Sequence, residues 1–447
     1  MGVVRGRAPP RCPAGGPPTR MRARRHAAAV GALTAACALT AAWTPPRQLE
    51  LAASPGLRHV TPVAATRSFA AAPAPPPPAE SLSVAFTGDI MFGRFIEHGF
   101  RAIPAERKSP FTEVAALLAS DLTLANLETP VMTAPPTTSR WGSTMRFVTT
   151  PARIATLAPS GIDAVTIANN HYFDMRDAGV TETPVLLAAA GLHVLGAARA
   201  PDEPLFRIET IETAGWSVGL IAAATVNNTD NPDAARLPYA ESHLIGAALV
   251  PLITAARSNH DLVIVAVHWG IEYSDAPERW QIRAAHQWID AGADAVIGHH
   301  PHVLQAIERY RQGEIAYSLG NFLFDNDWRT KRDSGVLRLT YRHAPAGQTT
   351  IAPDAAVDPF TEGAPTTAAA ASPAAVVNSP RVCIADARFH PTVIEAAAPA
   401  YRPMPAASVH GTQRVFKRLV DLSRARRTRW RRSGADLVAA AECPLTP

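Results

Sequence analysis

From residue 82 onward the chain keeps repeating one device. A short apolar run of strand character ends in a polar cluster, and a stretch with helical periodicity follows. The runs are 82–87, 122–125, 164–168, 218–224, 262–267, 295–297, 315–318 and 336–341. Helix candidates lie between them at 112–120, 151–158, 178–190, 243–256 and 277–291. Pro151 after two threonines is a good helix start, and Gly161, Gly191 and Gly292 stand where C-terminal caps belong. Alternation of this kind predicts an α/β domain built on one largely parallel sheet. One part of the pattern is used twice. Gly161-Ile-Asp-Ala-Val leads into Asn169-Asn170-His171, and Gly292-Ala-Asp-Ala-Val leads into His299-His300-Pro301-His302.

The polar clusters sit at the carboxyl ends of the predicted strands. They are Gly88-Asp89, Asn126-Leu127-Glu128, Asn169 to His171, His268 to Gly270, Gly298 to His302 and Leu319 to Asn321. In open α/β sheets ligands bind at those ends, so the six clusters are expected to converge on one edge of the sheet. Carboxylates, an Asn carbonyl and several imidazoles make a mixed oxygen and nitrogen donor set that suits zinc, manganese or iron. His300 and His302, on an extended segment, would present both rings to one side. Each residue alone has a plainer reading. Asp89 and Glu128 suit turn or cap positions, Asn169 and Asn170 suit a turn, and His268 suits a satisfied core position. Three histidines within four residues resist such a reading, and the joint pattern favours one shared site.

The flanks differ from this body. The net charge is +5, yet residues 1–25 hold seven Arg and residues 424–432 hold six, with no acid in either. With those thirteen set aside the remainder carries −8. A body of that sign argues against nucleic acid as a partner. Arg20, Arg22, Arg24 and Arg25 precede an uncharged, Ala-rich run over 27–43, the order of an export signal, whether cleaved or kept as a membrane anchor. Residues 44–81, with PAPPPP at 73–78, read as a Pro- and Ala-rich linker. The domain is expected over 82–343, interrupted by a disordered insertion at 344–380 and completed by a strand and helix within 381–437. The closing helix is expected at 413–422, with Val415, Phe416, Leu419 and Val420 inward; the basic run 424–432 and the tail to 447 read as solvated. Cys12 and Cys37 belong to the leader, leaving Cys383 and Cys443 as a pair that an oxidising compartment could bridge.

Six motifs, GDIMFGR (88–94), ANLETPV (125–131), ANNH (168–171), HWGIEY (268–273), GHHPHV (298–303) and SLGNFLFD (318–325), resemble in order the motif series of CapA proteins, which are tied to poly-γ-glutamate capsule synthesis. The segment ARFHPTVIE (387–395) resembles that family's last strands. The resemblance implies a fold similar to calcineurin-like metallophosphatases: a single large α/β domain in which a β-sandwich is flanked by helices, hence two packed sheets. It also implies one or two divalent metal ions (Mn, Zn or Fe) held by Asp89, Glu128, Asn170, His268, His300 and His302, with His171 as general acid. His299 falls outside that ligand set. Two positions depart from the pattern: Met91 stands where Asp-x-His would place a histidine, and Met175-Arg176 follow Asp174 where a glycine is common two residues on. Arg94 and Asn321 are candidates for binding an anionic substrate at the rim, against a surface ion pair and a turn. Two functions remain open on these residues. One is a metal-dependent hydrolase acting on a phosphoester or an amide of an anionic polymer. The other is a non-catalytic scaffold in a capsule synthesis complex, tethered to the membrane through the N-terminus.

Overall fold

The computed structural model describes residues 79–96, 99–102, 109–136, 145–197, 203–229, 236–325, 329–344, 382–397, 400–441 and 443. The expected leader, the linker up to residue 78 and the insertion from 345 to 380 lie outside the described residues.

The single sheet expected from the alternation is in fact two, as the family resemblance implied. The first is mixed. Strands Ser81–Ile90, Leu122–Leu127, Ala164–Thr166 and His193–Leu195 run parallel. Asp333–His343 and Val382–Ala397 extend this sheet antiparallel from the other side of Ser81–Ile90, followed by the hairpin Arg431–Ser433 and Asp436–Ala439. In the second sheet Trp216–Ala224, Leu262–His268, Ala295–His299 and Gly313–Ala316 are parallel. Antiparallel edge strands Ile208–Thr213 and Ile307–Tyr310 close it on either side. The hairpin formed by Ile208–Thr213 and Trp216–Ala224 is where the chain leaves the first sheet and begins the second.

Strand periodicity sets the layering. Leu82, Val84, Phe86, Leu122 and Leu124 face across to Val218, Leu220, Leu262, Ile264 and Ile297, forming the core between the sheets. The alternate residues face outward and are covered by helices. Ala85, Ala125 and Val165 lie under Ala115–Leu118, Pro151–Ile154 and Arg176–Ala189 through Leu118, Ile154 and Leu187. Val263, Val265 and Val296 lie under Ile245–Asn259 and Arg279–Asp290 through Leu249, Ile253, Trp288 and Ile289. Strands buried on both faces read as unbroken apolar runs. Such runs carry no mark of which sheet a strand joins, so the hydropathy pattern could not separate the two. Among the described residues, no helix is long and apolar enough to cross a membrane.

The C-terminal region is more ordered than its composition suggests. The helix Thr412–Arg424 buries Val415, Phe416 and Leu419. The basic run beyond it, expected to be solvated, is folded: Trp430 and Thr428 are buried while Arg424, Arg427, Arg429, Arg431 and Arg432 are exposed. Trp430 packs edge-on against Phe389 of the first sheet, with ring centroids 6.4 Å apart. Cys383 and Cys443 form a disulfide across 60 residues, with Cα atoms 5.3 Å apart. Closing a loop of that length restricts the unfolded chain by about 4 kcal/mol on the chain-entropy account. Cys383→Ser should therefore lower unfolding stability by about 2–4 kcal/mol in a denaturant titration, and reducing agent should do the same to the parent. An unchanged midpoint in both would mean that the bridge does not form.

Candidate metal centre

The polar clusters converge, but from two sheets. Asp89, Glu128 and the loop 169–171 come from the carboxyl ends of parallel strands in the first sheet, while His268 and the loop 299–302 come from those of the second. The site lies where these ends meet. Two glycines permit the approach: a Cβ on Gly88 would stand 2.0 Å from the Gly320 carbonyl oxygen, and one on Gly298 would stand 2.0 Å from that of Tyr317. No side chain fits at either position. The His300–His302 segment is not extended as expected. Its strand ends at His299, and His300 (φ 96°) and His302 (φ 56°) both take the left-handed region. Non-glycine residues are held there only when their surroundings over-determine them. The turn, rather than the pleat, aims the two rings, whose centroids are 5.8 Å apart.

Asp89 is fully buried and heavily engaged. Asn126 Nδ2 donates to its Oδ1 at 2.9 Å, and His299 Nδ1 stands 3.1 Å from the same oxygen. His302 Nδ1 lies 3.2 Å from Oδ2. Burial alone would raise Asp89, but His299 and His302 outweigh it and hold the carboxyl well below its usual range. Glu128 is the opposite case. It is fully buried, and neither carboxylate oxygen has a hydrogen-bond partner. Three imidazole Nε2 atoms point at its Oε1 from 3.5 Å (His268), 3.7 Å (His302) and 3.8 Å (His171), too far for hydrogen bonds. Burial pushes Glu128 up to about 8, against the pull of His302.

Around this carboxylate the imidazoles divide. Burial holds His268 well below its ordinary value, helped by His300, and brings His300 down to about 3, helped by His302. Both rings are therefore neutral and keep a lone pair for coordination. Burial opposes charge on His302 too, yet Glu128 and Asp89 raise it to about 9. Asn170 Oδ1 lies 2.8 Å from His268 Nε2, which brings the sixth expected ligand into the group. Among the described residues three overlapping sets have donor atoms within 4.8 Å of one another: Glu128, His268 and His300; Asp89, Glu128 and His302; and Glu272, His300 and His302, of which Glu272 is exposed. Glu128 belongs to both fully buried sets. A buried, unpaired carboxylate beside the neutral imidazoles of His268 and His300 is a donor set that a divalent cation satisfies. The residues present fit such an ion.

His171 is held differently. Its Nδ1 lies 2.7 Å from Asp174 Oδ2, which also accepts from the Phe147 backbone N–H at 2.7 Å. Its ring stacks on Phe147 with centroids 3.7 Å apart. Burial works against its charge, but Asp174, aided by Glu128, raises the imidazole above its ordinary value. It faces a cavity of about 170 Å³, shared with Arg94, Phe147, Tyr273, His302 and Lys331. Arg94 stands at that rim, its Nε donating to Asp325 at 2.8 Å. Asn321 is fully buried beneath the rim: its Nδ2 donates to the backbone carbonyls of His302 (3.2 Å) and Lys331 (2.9 Å), and its Oδ1 lies 2.9 Å from His302 Nδ1. Met91, which stands where Asp-x-His would place a histidine, is fully buried among apolar side chains.

The family model described as bacterial capsule synthesis protein PGA_cap matches residues 83–326, more than half the chain. The chain belongs to that family. Its relatives include the PGA biosynthesis protein CapA of Bacillus subtilis (strain 168), 30% identical over 275 residues that cover 61% of this chain and 71% of the relative. The capsule biosynthesis protein CapA of Bacillus anthracis is 30% identical over 284 residues, covering 62% of this chain and 68% of the relative. A solved structure of a hypothetical protein from Thermus thermophilus aligns at 18% identity with a TM-score of 0.32, covering 72% of this chain and 98% of that one. The matched region of this PGA_cap member holds every residue of the centre, from Asp89 through Asn321.

Sequence reasoning passed over several residues that the structure brings to the site. Asn126 and Asn169 form a relay: Asn169 Nδ2 donates to Asn126 Oδ1 at 3.2 Å, and Asn126 in turn donates to Asp89. Both were visible as neighbours of expected ligands. Asp174, three residues after His171, was also in view, as part of a loop. Tyr273 stood in view as the last residue of HWGIEY without a role attached, and Lys331 did not, because a lone Lys carries no spacing signal.

Proposed function

We propose that this protein is an exported, metal-dependent hydrolase acting in the synthesis, export or anchoring of a poly-γ-glutamate capsule polymer. The observation that carries the reading is Glu128, a fully buried carboxylate without a hydrogen-bond partner, faced by the Nε2 atoms of His171, His268 and His302. Asp89, Glu128, Asn170, His268, His300 and His302 would hold one or two divalent ions (Mn, Zn or Fe). When bound, a divalent ion supplies Lewis acidity to a phosphoryl or amide oxygen. The chain's own groups do the rest. Asp174 fixes His171 by its Nδ1 and favours the imidazolium, so Nε2 carries a proton toward the cavity. His171 would then protonate the leaving group. Family membership, and the names of relatives concerned with PGA and capsule biosynthesis, support the capsule polymer as the context. The Cys383–Cys443 disulfide and the basic, then apolar, N-terminal leader support export, with the leader cleaved or retained in the membrane.

Full-length protein loaded separately with Mn, Zn and Fe should hydrolyse a phosphomonoester or poly-γ-glutamate in at least one metal form, and chelation should abolish the activity. No turnover with any metal on either substrate would overturn the hydrolase. One observation favours a second reading. Met91 stands where a ligand histidine would, so one side of the centre lacks a protein donor, and a capsule-assembly scaffold that uses an ion only to bind polymer carboxylates would tolerate that gap.

A further inference from the structure

The rim of the cavity is itself a built feature. Lys331 places its Nζ 3.1 Å from the centroid of the Tyr273 ring, a cation–π contact that holds the ammonium at the mouth. Its backbone carbonyl accepts from Asn321, the same amide that contacts His302 Nδ1 and the His302 carbonyl. One buried side chain thus ties the rim cation to the centre. Tyr273 is pinned as well: its N–H donates to the Pro301 carbonyl at 2.8 Å, and its backbone is in the left-handed region (φ 63°). Across the same cavity stands Arg94, oriented through its Nε by the nearly buried Asp325.

Among the described residues, the charges facing this space are few. Arg94 and Lys331 are the Arg and Lys that line it, beside the imidazoles of His171 and His302; Glu272 is the carboxylate at the mouth, and Asp325 is already engaged with Arg94. Burial and Arg94 pull the Lys331 amine below its ordinary value against Glu272, and the two cations line one cavity. Like charges held together at a cavity mouth are relieved by an anion between them. At about 170 Å³ the space takes a group of a few heavy atoms, since a water accounts for about 30 Å³.

We propose that Lys331 and Arg94, with Tyr273 as their support, form an oxyanion-binding subsite that receives a carboxylate or phosphate of the substrate beside the group facing His171. This rests on the hydrolase reading for its orientation, though binding itself does not require turnover. A γ-linked glutamate chain supplies such a carboxylate on the carbon that bears each amide nitrogen. A phosphomonoester supplies the phosphate instead.

The test is calorimetric titration of full-length protein, metal-loaded and metal-stripped, with two probes: γ-glutamylglutamate and inorganic phosphate. Lys331→Met keeps an unbranched apolar side chain at the rim and removes the charge. It should weaken at least one probe about tenfold or more in both metal states while metal content stays at the parent level. Lys331→Arg should restore binding to within about threefold. Loss for the dipeptide alone identifies the carboxylate as the subsite's ligand, and loss for phosphate alone identifies the phosphate. Parent-level binding of both probes by Lys331→Met overturns the subsite. The hydrolase reading fails separately: a protein without turnover that still shows Lys331-dependent binding has the subsite but not the chemistry.

Discussion

Glu128→Gln should strip the centre of metal and leave the domain folded. Glu128 is the one carboxylate common to the two fully buried donor sets, so its loss removes a ligand from each. Glutamine keeps the shape of the side chain, and Glu128 sits just beyond the strand Leu122–Leu127, outside the core between the sheets. Elemental analysis should show near-complete loss of bound metal, with circular dichroism unchanged. His268→Ala and His300→Ala, each touching one of the two buried sets, should lose less. Metal content equal to the parent in Glu128→Gln would place the ion elsewhere.

The same residue predicts how metal affinity varies with pH. Without an ion, burial raises Glu128 to about 8 and the two carboxylates raise His302 to about 9. Both folded-state values lie above the unfolded ones, so the metal-free protein binds extra protons on folding. That contribution to stability is fully present below the unfolded values and is lost as pH rises through about 8 to 9. Ligation requires the deprotonated carboxylate and the neutral imidazole, so binding must displace at least one proton at neutral pH. Affinity should therefore rise with pH up to about 9 and level off, and calorimetry in buffers of different ionisation enthalpy should report the released proton. A pH-independent affinity in the parent would show that neither group is a ligand.

The parts of this molecule legible in its sequence share a local cause. Runs such as 262–267 and 295–297 are strands because β-branched and apolar residues fill both faces, and they appear as Leu262–His268 and Ala295–His299. Asp89, Glu128, His171, His268 and His300 were legible because each lies at or just beyond the carboxyl end of a strand, the edge where ligands of such sheets gather. What stayed hidden depends on pairing between distant segments. The division into two sheets turns on the hairpin at 208–224, whose first strand is half-exposed and polar enough to pass for a loop. The order of the basic run 424–432 turns on one residue, Trp430, finding Phe389 across the chain. Lys331 belongs to the rim only because Asn321 and Tyr273 hold it there. No spacing rule contains that information.

His171→Ala should keep its metal and lose its turnover, which separates it from every ligand. Its Nδ1 is committed to Asp174, and its Nε2, 3.8 Å from Glu128, opens on the cavity. The ring is positioned to give a proton to a departing group. Removing a general acid costs about 10²–10⁴-fold in rate. That cost should depend on the leaving group. An alkoxide or amine needs the proton and should suffer the full loss, whereas nitrophenolate departs as a stable anion and should suffer little. The parent's rate on a poor leaving group should fall as pH rises past the elevated His171 value, and that limb should be absent from His171→Ala. Asp174→Asn should shift the limb toward lower pH, because it removes the carboxylate that favours the imidazolium. Elemental analysis alongside the kinetics settles the division of roles. If His171→Ala empties the centre as thoroughly as Glu128→Gln, or slows the nitrophenyl and alkyl substrates equally, His171 is a ligand or a structural element and not the acid.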